Sequence, residues 1–94
     1  MEIKQIGIGG KSYLVLVDDD VQVAEVEVSP LGNSIFEIHR TEIYDGEKGR
    51  GLEVKLVQLV LQFAREQRLQ IRPLCDFFKS TMVRISGTEG EVVS

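Results

Sequence analysis

Asp45-Gly46-Glu47-Lys48-Gly49-Arg50-Gly51, followed by Leu52-Glu53-Val54-Lys55-Leu56-Val57, is where the pattern of this 94-residue chain changes. Three glycines in seven residues make a loop. From Leu52 to Arg68 the polar residues Lys55, Gln58, Gln62, Arg65 and Glu66 fall three or four apart, which places them on one stripe of a helix. Leu52, Val54, Leu56, Val57, Leu59, Val60, Leu61, Phe63 and Ala64 fill the rest, so the spacing predicts a long, mostly buried helix.

Upstream of the loop the chain reads as strands. Lys11 to Val17 (KSYLVLV) has β-branched and aromatic content, Asp18-Asp19-Asp20 is a charged turn, and Val21 to Val28 is a second strand. In VQVAEVEV, Val21 and Val23 share one face whereas Ala24, Val26 and Val28 share the other. A bulge near Val23–Ala24 reconciles them, because one inserted residue shifts the side-chain phase. Ser29-Pro30-Leu31-Gly32-Asn33 is turn chemistry, and Ser34 to Tyr44 is a third strand with Phe36 and Ile38 opposite Glu37 and His39. Short turns make these three an antiparallel meander.

Downstream of the helix, Leu69 to Leu74 is a short strand whose Pro73 marks an edge or the end of pairing. Cys75 follows, then a short helix over Asp76 to Arg84. Residues 86–94 have no periodicity and read as a frayed tail, leaving a single domain over 1–85. The order β-β-β-loop-α-β-α is an α+β arrangement.

Composition narrows the function classes. One cysteine allows no intramolecular disulfide and no thiolate cluster, and one histidine no multi-histidine site, so no metal is expected. No apolar run approaches the roughly 18–20 residues that span a bilayer, and MEIKQIGIGG lacks the apolar core of a secretory signal. A single thiol without an export signal points to the cytoplasm. Net charge is −4, spread unevenly: residues 1–39 carry two lysines against seven carboxylates, whereas residues 40–84 carry nine cations against six. An acidic chain with a basic middle argues against a duplex nucleic-acid binder, and fits a small anionic ligand held locally. An ordinary solvated surface has the same balance.

The glycine loop supplies a place for such an anion. Successive N–H groups around close glycines point into one concavity, and the following helix N-terminus adds donors. Gly49 and Gly51 lack Cβ atoms, so a diphosphate can approach the main chain, with Lys48 and Arg50 beside it. A plain tight turn feeding a helix would use the same residues. The loop is neither a P-loop, for which Gly46 through Lys55 lacks G-x-x-x-x-G-K-[ST], nor a Rossmann fingerprint, for which Gly49-Arg50-Gly51 lacks the third glycine.

Gly46-Glu47-Lys48-Gly49-Arg50-Gly51 resembles motif A of the GNAT acetyltransferase superfamily, Q/R-x-x-G-x-G/A, with Gly46 standing where Gln or Arg is usual. The match is closer to the minimal, single-domain GNAT-like N-acetyltransferases, which run H-T-E-V, a loop ending G-x-G, a helix with K-L-V, then P-L-C-P-F. Here stand Arg40-Thr41-Glu42-Ile43, Gly49-Arg50-Gly51, Lys55-Leu56-Val57 and Pro73-Leu74-Cys75-Asp76-Phe77, with Ala64-Arg65-Glu66 and Leu69 between. The resemblance spans roughly residues 12–80.

The resemblance implies a GNAT-like fold: a curved, mainly antiparallel sheet with one long buried helix and a short C-terminal helix. It also implies an acetyl-CoA site. The strands before the loop and after the helix would splay, with the pantetheine arm in the wedge. By position, Ile43 and Tyr44 would offer backbone groups to that arm, Lys48, Gly49, Arg50 and Gly51 would cradle the pyrophosphate, and Cys75 would lie near the thioester. In this minimal family the cysteine is suspected of taking the acetyl group. The family's histidine is Arg40 here, with His39 one position earlier and expected on the other side of the strand. The proline after the cysteine is Asp76, and Glu53 stands at a usually small position, where its carboxylate repels a pyrophosphate.

Cys75 therefore has two readings, a thiol nucleophile for a thioester and a small buried apolar residue. Tyr44 is a general acid or a cover over the loop; Glu42 and Asp45 are acceptors for an amine proton; His39 reads as a surface residue before a base. The implied activity is acetyl transfer from acetyl-CoA to an amine, directly or through Cys75. The alternative is a non-catalytic acyl-CoA-binding or protein-interaction module, towards which Arg40, Glu53 and Asp76 point. A monomer or a weak homodimer through an open sheet edge is expected.

Overall fold

The computed structural model describes residues 1–32 and 34–85, so the tail read at 86–94 lies outside the described residues. Seven elements follow one another: β1 (Glu2–Ile8), β2 (Lys11–Asp18), β3 (Val21–Leu31), β4 (Ile35–Ile43), α1 (Leu52–Glu66), β5 (Gln70–Pro73) and α2 (Asp76–Val83). The sheet order is β1-β2-β3-β4-β5, antiparallel throughout except for the parallel β4–β5 pair. The mainly antiparallel α+β fold expected from sequence is the observed one.

One strand is additional. β1 pairs with β2 from Glu2–Val17 to Ile8–Lys11, and Gly9-Gly10, at φ +58° and +81°, closes the hairpin. Positive φ at both central residues is what a type I′ two-residue hairpin turn requires. Asp19-Asp20 does the same between β2 and β3, at φ +49° and +65°. The bulge expected near Val23–Ala24 is present: Leu16 pairs with Ala24 and Val17 with Gln22, so Val23 is the inserted residue and both Val23 and Ala24 are buried.

β3 runs further than the turn chemistry at 29–33 predicts. Ser29, Pro30 and Leu31 pair with Glu37, Phe36 and Ile35, while Asn33 lies outside the described residues. Pro30 is tolerated because β2 stops pairing at Ser12–Val28, so its missing N–H removes no bond to β2.

Leu14, Leu16, Val26, Val28, Phe36, Ile38, Ile43 and Ile71 line one face of the sheet, and α1 and α2 cover it with Leu56, Val57, Val60, Ala64, Phe78 and Met82. Lys55, Gln58, Gln62, Arg65 and Glu66 are exposed, as the stripe requires. α1 ends in a Schellman turn in which Leu69 N–H bonds Ala64 O at 2.7 Å and Arg68 N–H bonds Arg65 O at 3.1 Å, with Arg68 at φ +58°. The opposite sheet face carries Glu25, Glu27, Glu37, Arg40 and Glu42 and, among the described residues, no helix. No helix among the described residues is long and apolar enough to cross a membrane.

Candidate functional site

The site begins where β4 and β5 part. Their parallel register covers only Ile35–Gln70 to Ile38–Pro73, followed by a bond from Leu74 N–H to Ile38 O at 2.9 Å. β4 continues to Ile43 with β3 as its partner on the other side. Pro73 stands at the end of the pairing, as the sequence indicates.

A second bulge sits at this point. Glu27 pairs with Arg40 and Val28 with Ile38, which leaves His39 as the inserted residue of β4. The extra residue flips the phase of the strand. Before it, Ile38 points its carbonyl at β5; after it, Tyr44 N–H bonds Val23 O at 3.1 Å, which fixes Ile43–Ala24 as a pair without mutual hydrogen bonds. Ile43 and, two residues earlier, Thr41 therefore turn their peptide groups away from β3, toward the open gap. Tyr44 is placed otherwise. Its N–H is given to Val23 and its C=O accepts from Glu47 N–H at 3.0 Å.

The bulge also corrects the expectation for His39. It does not lie across the strand from Arg40: His39 hydrogen-bonds Ser29 Oγ at 2.7 Å and approaches Glu37, while Arg40 reaches toward Glu42, all on the helix-free face. Strict alternation fails here because both residues occupy the bulge.

Cys75 faces the gap from the other side. It is the N-cap of α2 with extended backbone (φ −98°, ψ 123°), and its carbonyl accepts from Lys79 N–H at 3.0 Å. Its half-buried Sγ lies 3.7 Å from Thr41 Oγ1, a thiol-to-hydroxyl hydrogen bond. Thr41, not singled out from sequence, is thus the residue that β4 presents to Cys75. The signal lies inside the Thr41-Glu42-Ile43 segment, but it takes the bulge to give it a direction.

The glycine loop leads from the gap to α1. Gly46, Gly49 and Gly51 all have positive φ, +89°, +88° and +71°. Gly51 is the N-cap and offers no side chain to the first-turn N–H groups, so their orphan donors have no side-chain cap. Glu53 sits in that first turn. Lys48 pairs with Asp45 at 3.3 Å, and Arg50 donates to Asp18 Oδ2 at 2.8 Å and to Glu47. The hydrogen bond to Asp18, then that to Glu47, pushes the Arg50 guanidinium's pKa further up, so it is a permanent cation.

Tyr44 donates its phenolic proton to Glu25 Oε1 at 2.6 Å. Burial first, then this bond and the charges of Glu25 and Glu42, pushes its pKa up to about 12. At neutral pH the phenol holds its proton and is an acid rather than a base. Among the described residues, no group of three or more His, Cys, Asp or Glu is arranged to hold a metal.

Comparison with known proteins bears on the fold and the family. No curated protein matches the chain. Among solved structures it is similar to a GCN5-like putative N-acetyltransferase from Staphylococcus aureus, determined by NMR in solution, with a TM-score of 0.67 and 28% identity over 99% of this chain and 88% of that one. A family profile described as GCN5-related N-acetyl-transferase matches residues 12–86. With residues 12–86 of its 94 inside that profile, the chain belongs to the GCN5-related N-acetyltransferase family.

Proposed function

We propose that this protein transfers an acetyl group from acetyl-CoA to a primary amine, with Cys75 as the residue that first receives it. The observation that carries the reading is the parting of β4 from β5 after Ile38–Pro73, which opens the peptide groups of Thr41 and Ile43 opposite the Cys75 thiol. A pantetheine arm is an amide chain, and it pairs with an open strand edge as another strand would. The diphosphate then falls to Lys48, Gly49, Arg50 and Gly51 and to the first-turn N–H groups of α1, where the helix dipole favours an anion.

The chemistry asks little more of the chain. The Cys75 thiolate adds to the thioester carbonyl, the bond to the CoA sulfur breaks, and that sulfur leaves as a thiolate which takes a proton. A deprotonated amine then adds to the S-acetyl group, expelling the Cys75 thiolate and giving the amide. Holding the reactants in line supplies much of the rate. Tyr44 is protonated at neutral pH but donates its hydrogen bond to Glu25 on the helix-free face, where Glu42 also stands, so the amine proton passes to solvent or to the exposed Asp45.

A second reading, a non-catalytic acyl-CoA-binding or protein-interaction module, has one observation in its favour: both loop cations are already paired and Glu53 stands at the helix entrance. Calorimetric titration with acetyl-CoA followed by intact mass separates the two. Saturable binding with a gain of one acetyl group, lost in Cys75→Ala, is the expected result. Binding with no acetyl on protein or amine overturns the enzyme reading; no binding overturns the coenzyme site.

A further inference from the structure

Arg50, one of the two loop cations proposed to meet the diphosphate, is held by two carboxylates. Arg50 reaches from the loop to Asp18 at the end of β2, 32 residues upstream, at 2.8 Å, while its other nitrogen binds Glu47 within the loop. The first bond crosses from the loop to the β2–β3 turn and so fixes the loop against the sheet. All three side chains are partly exposed, and solvent screening keeps each such pair weak. A diphosphate carries more charge than either carboxylate and matches the guanidinium fork as well as they do.

We propose that Asp18 and Glu47 form a clamp on Arg50 that the coenzyme diphosphate displaces, so that these two carboxylates set coenzyme affinity. The proposal rests on the reading of the loop as the diphosphate site. When the guanidinium turns to the diphosphate, two carboxylates are left unpaired beside a new anion. Neutralising either one releases Arg50 and removes a repulsion. The clamp holds the loop ordered and its cation covered until an anion of higher charge arrives. The Lys48–Asp45 pair is looser, since Lys48 is largely exposed, Asp45 is almost fully so, and no bond among the described residues ties either to the sheet.

The test is titration of the wild-type protein, Asp18→Asn and Glu47→Gln with CoA and with S-acetylpantetheine, which lacks the diphosphate, at low salt. Each substitution is expected to tighten CoA about three- to fivefold and to leave S-acetylpantetheine unchanged. The gain is expected to vanish in Asp18→Asn combined with Arg50→Gln. Unchanged or weaker CoA binding in both single variants overturns the clamp, as does a gain that survives without Arg50. Failure of the wild type and both variants to bind CoA overturns the diphosphate reading itself. Glu47 takes no part in the sheet register, so Glu47→Gln keeps the test intact if Asp18→Asn does not fold.

Discussion

The thiol of Cys75, at the start of α2, donates to the hydroxyl of Thr41 on β4 at 3.7 Å, across the gap left where β4 and β5 separate. Thirty-four residues apart in sequence, the two are brought together by one bulge at His39 and one proline at the end of β5. The hydroxyl that accepts from the thiol can rotate and donate to the thiolate. Thr41→Val is therefore expected to slow iodoacetamide alkylation of Cys75 several-fold, and Thr41→Ser to keep the wild-type rate. Equal rates in wild type and Thr41→Val would show that the contact does not support the thiolate.

Tyr44 gives a pH signature. Its pKa rises from 10.0 in the unfolded chain to about 12 in the fold, so the folded state favours the protonated phenol. The corresponding stability is fully present below pH 10 and is lost as pH rises toward 12. Absorbance titration at 295 nm, with Tyr44→Phe as the difference, should show a component with a midpoint near 12. Glu25→Gln should move that component down, because it removes the accepting charge.

Gly51 is the hinge between loop and helix, at φ +71° and ψ 24°. A Cβ there meets no atom within 4 Å, so a substitution is felt through the backbone alone. Gly51→Ala is expected to cost about 1 kcal/mol in urea denaturation, and Gly51→Asn less, since Asn tolerates the left-handed region. Equal losses for the two would point to a contact rather than the backbone.

Much of this fold is legible in the sequence, and the parts that are not have physical causes. α1 is legible because its polar stripe is uninterrupted from Lys55 to Glu66, and the Val23 bulge because alternation visibly breaks there. β1 is not, since Ile3 packs on the core face whereas Ile6 pairs with Tyr13 on the other, so no single-face alternation shows. The Gly9-Gly10 turn is the clue to it. The His39 bulge is harder to see, because His39, Arg40 and Glu42 are all polar and only the odd spacing between the core residues Ile38 and Ile43 marks it, and with it the direction of Thr41 is hidden. The Arg50–Asp18 bond is long-range and depends on the hairpin geometry.

Arg68 occupies the left-handed position after α1, at φ +58°, where glycine has no Cβ penalty. The two Schellman bonds it frames are backbone bonds and do not need its side chain. Arg68→Gly is expected to raise stability by about 0.5–1 kcal/mol, read as a higher urea midpoint at unchanged slope. A lower midpoint would show that the arginine side chain contributes more than its backbone costs.

Glu53 brings two effects of opposite sign into one residue. In the first turn of α1 its carboxylate faces the positive end of the helix dipole, worth about 0.3–1 kcal/mol to the folded state. The same charge stands beside the N–H groups proposed to receive the coenzyme diphosphate, where it opposes an anion. Glu53→Gln keeps the size and removes the charge. It is expected to lower the denaturation midpoint slightly while tightening CoA and leaving S-acetylpantetheine unchanged, since that compound brings no diphosphate to the helix. A variant that loses stability and gains no CoA affinity would place the diphosphate away from this turn. One that tightens both ligands equally would show that Glu53 acts on the pantetheine gap instead.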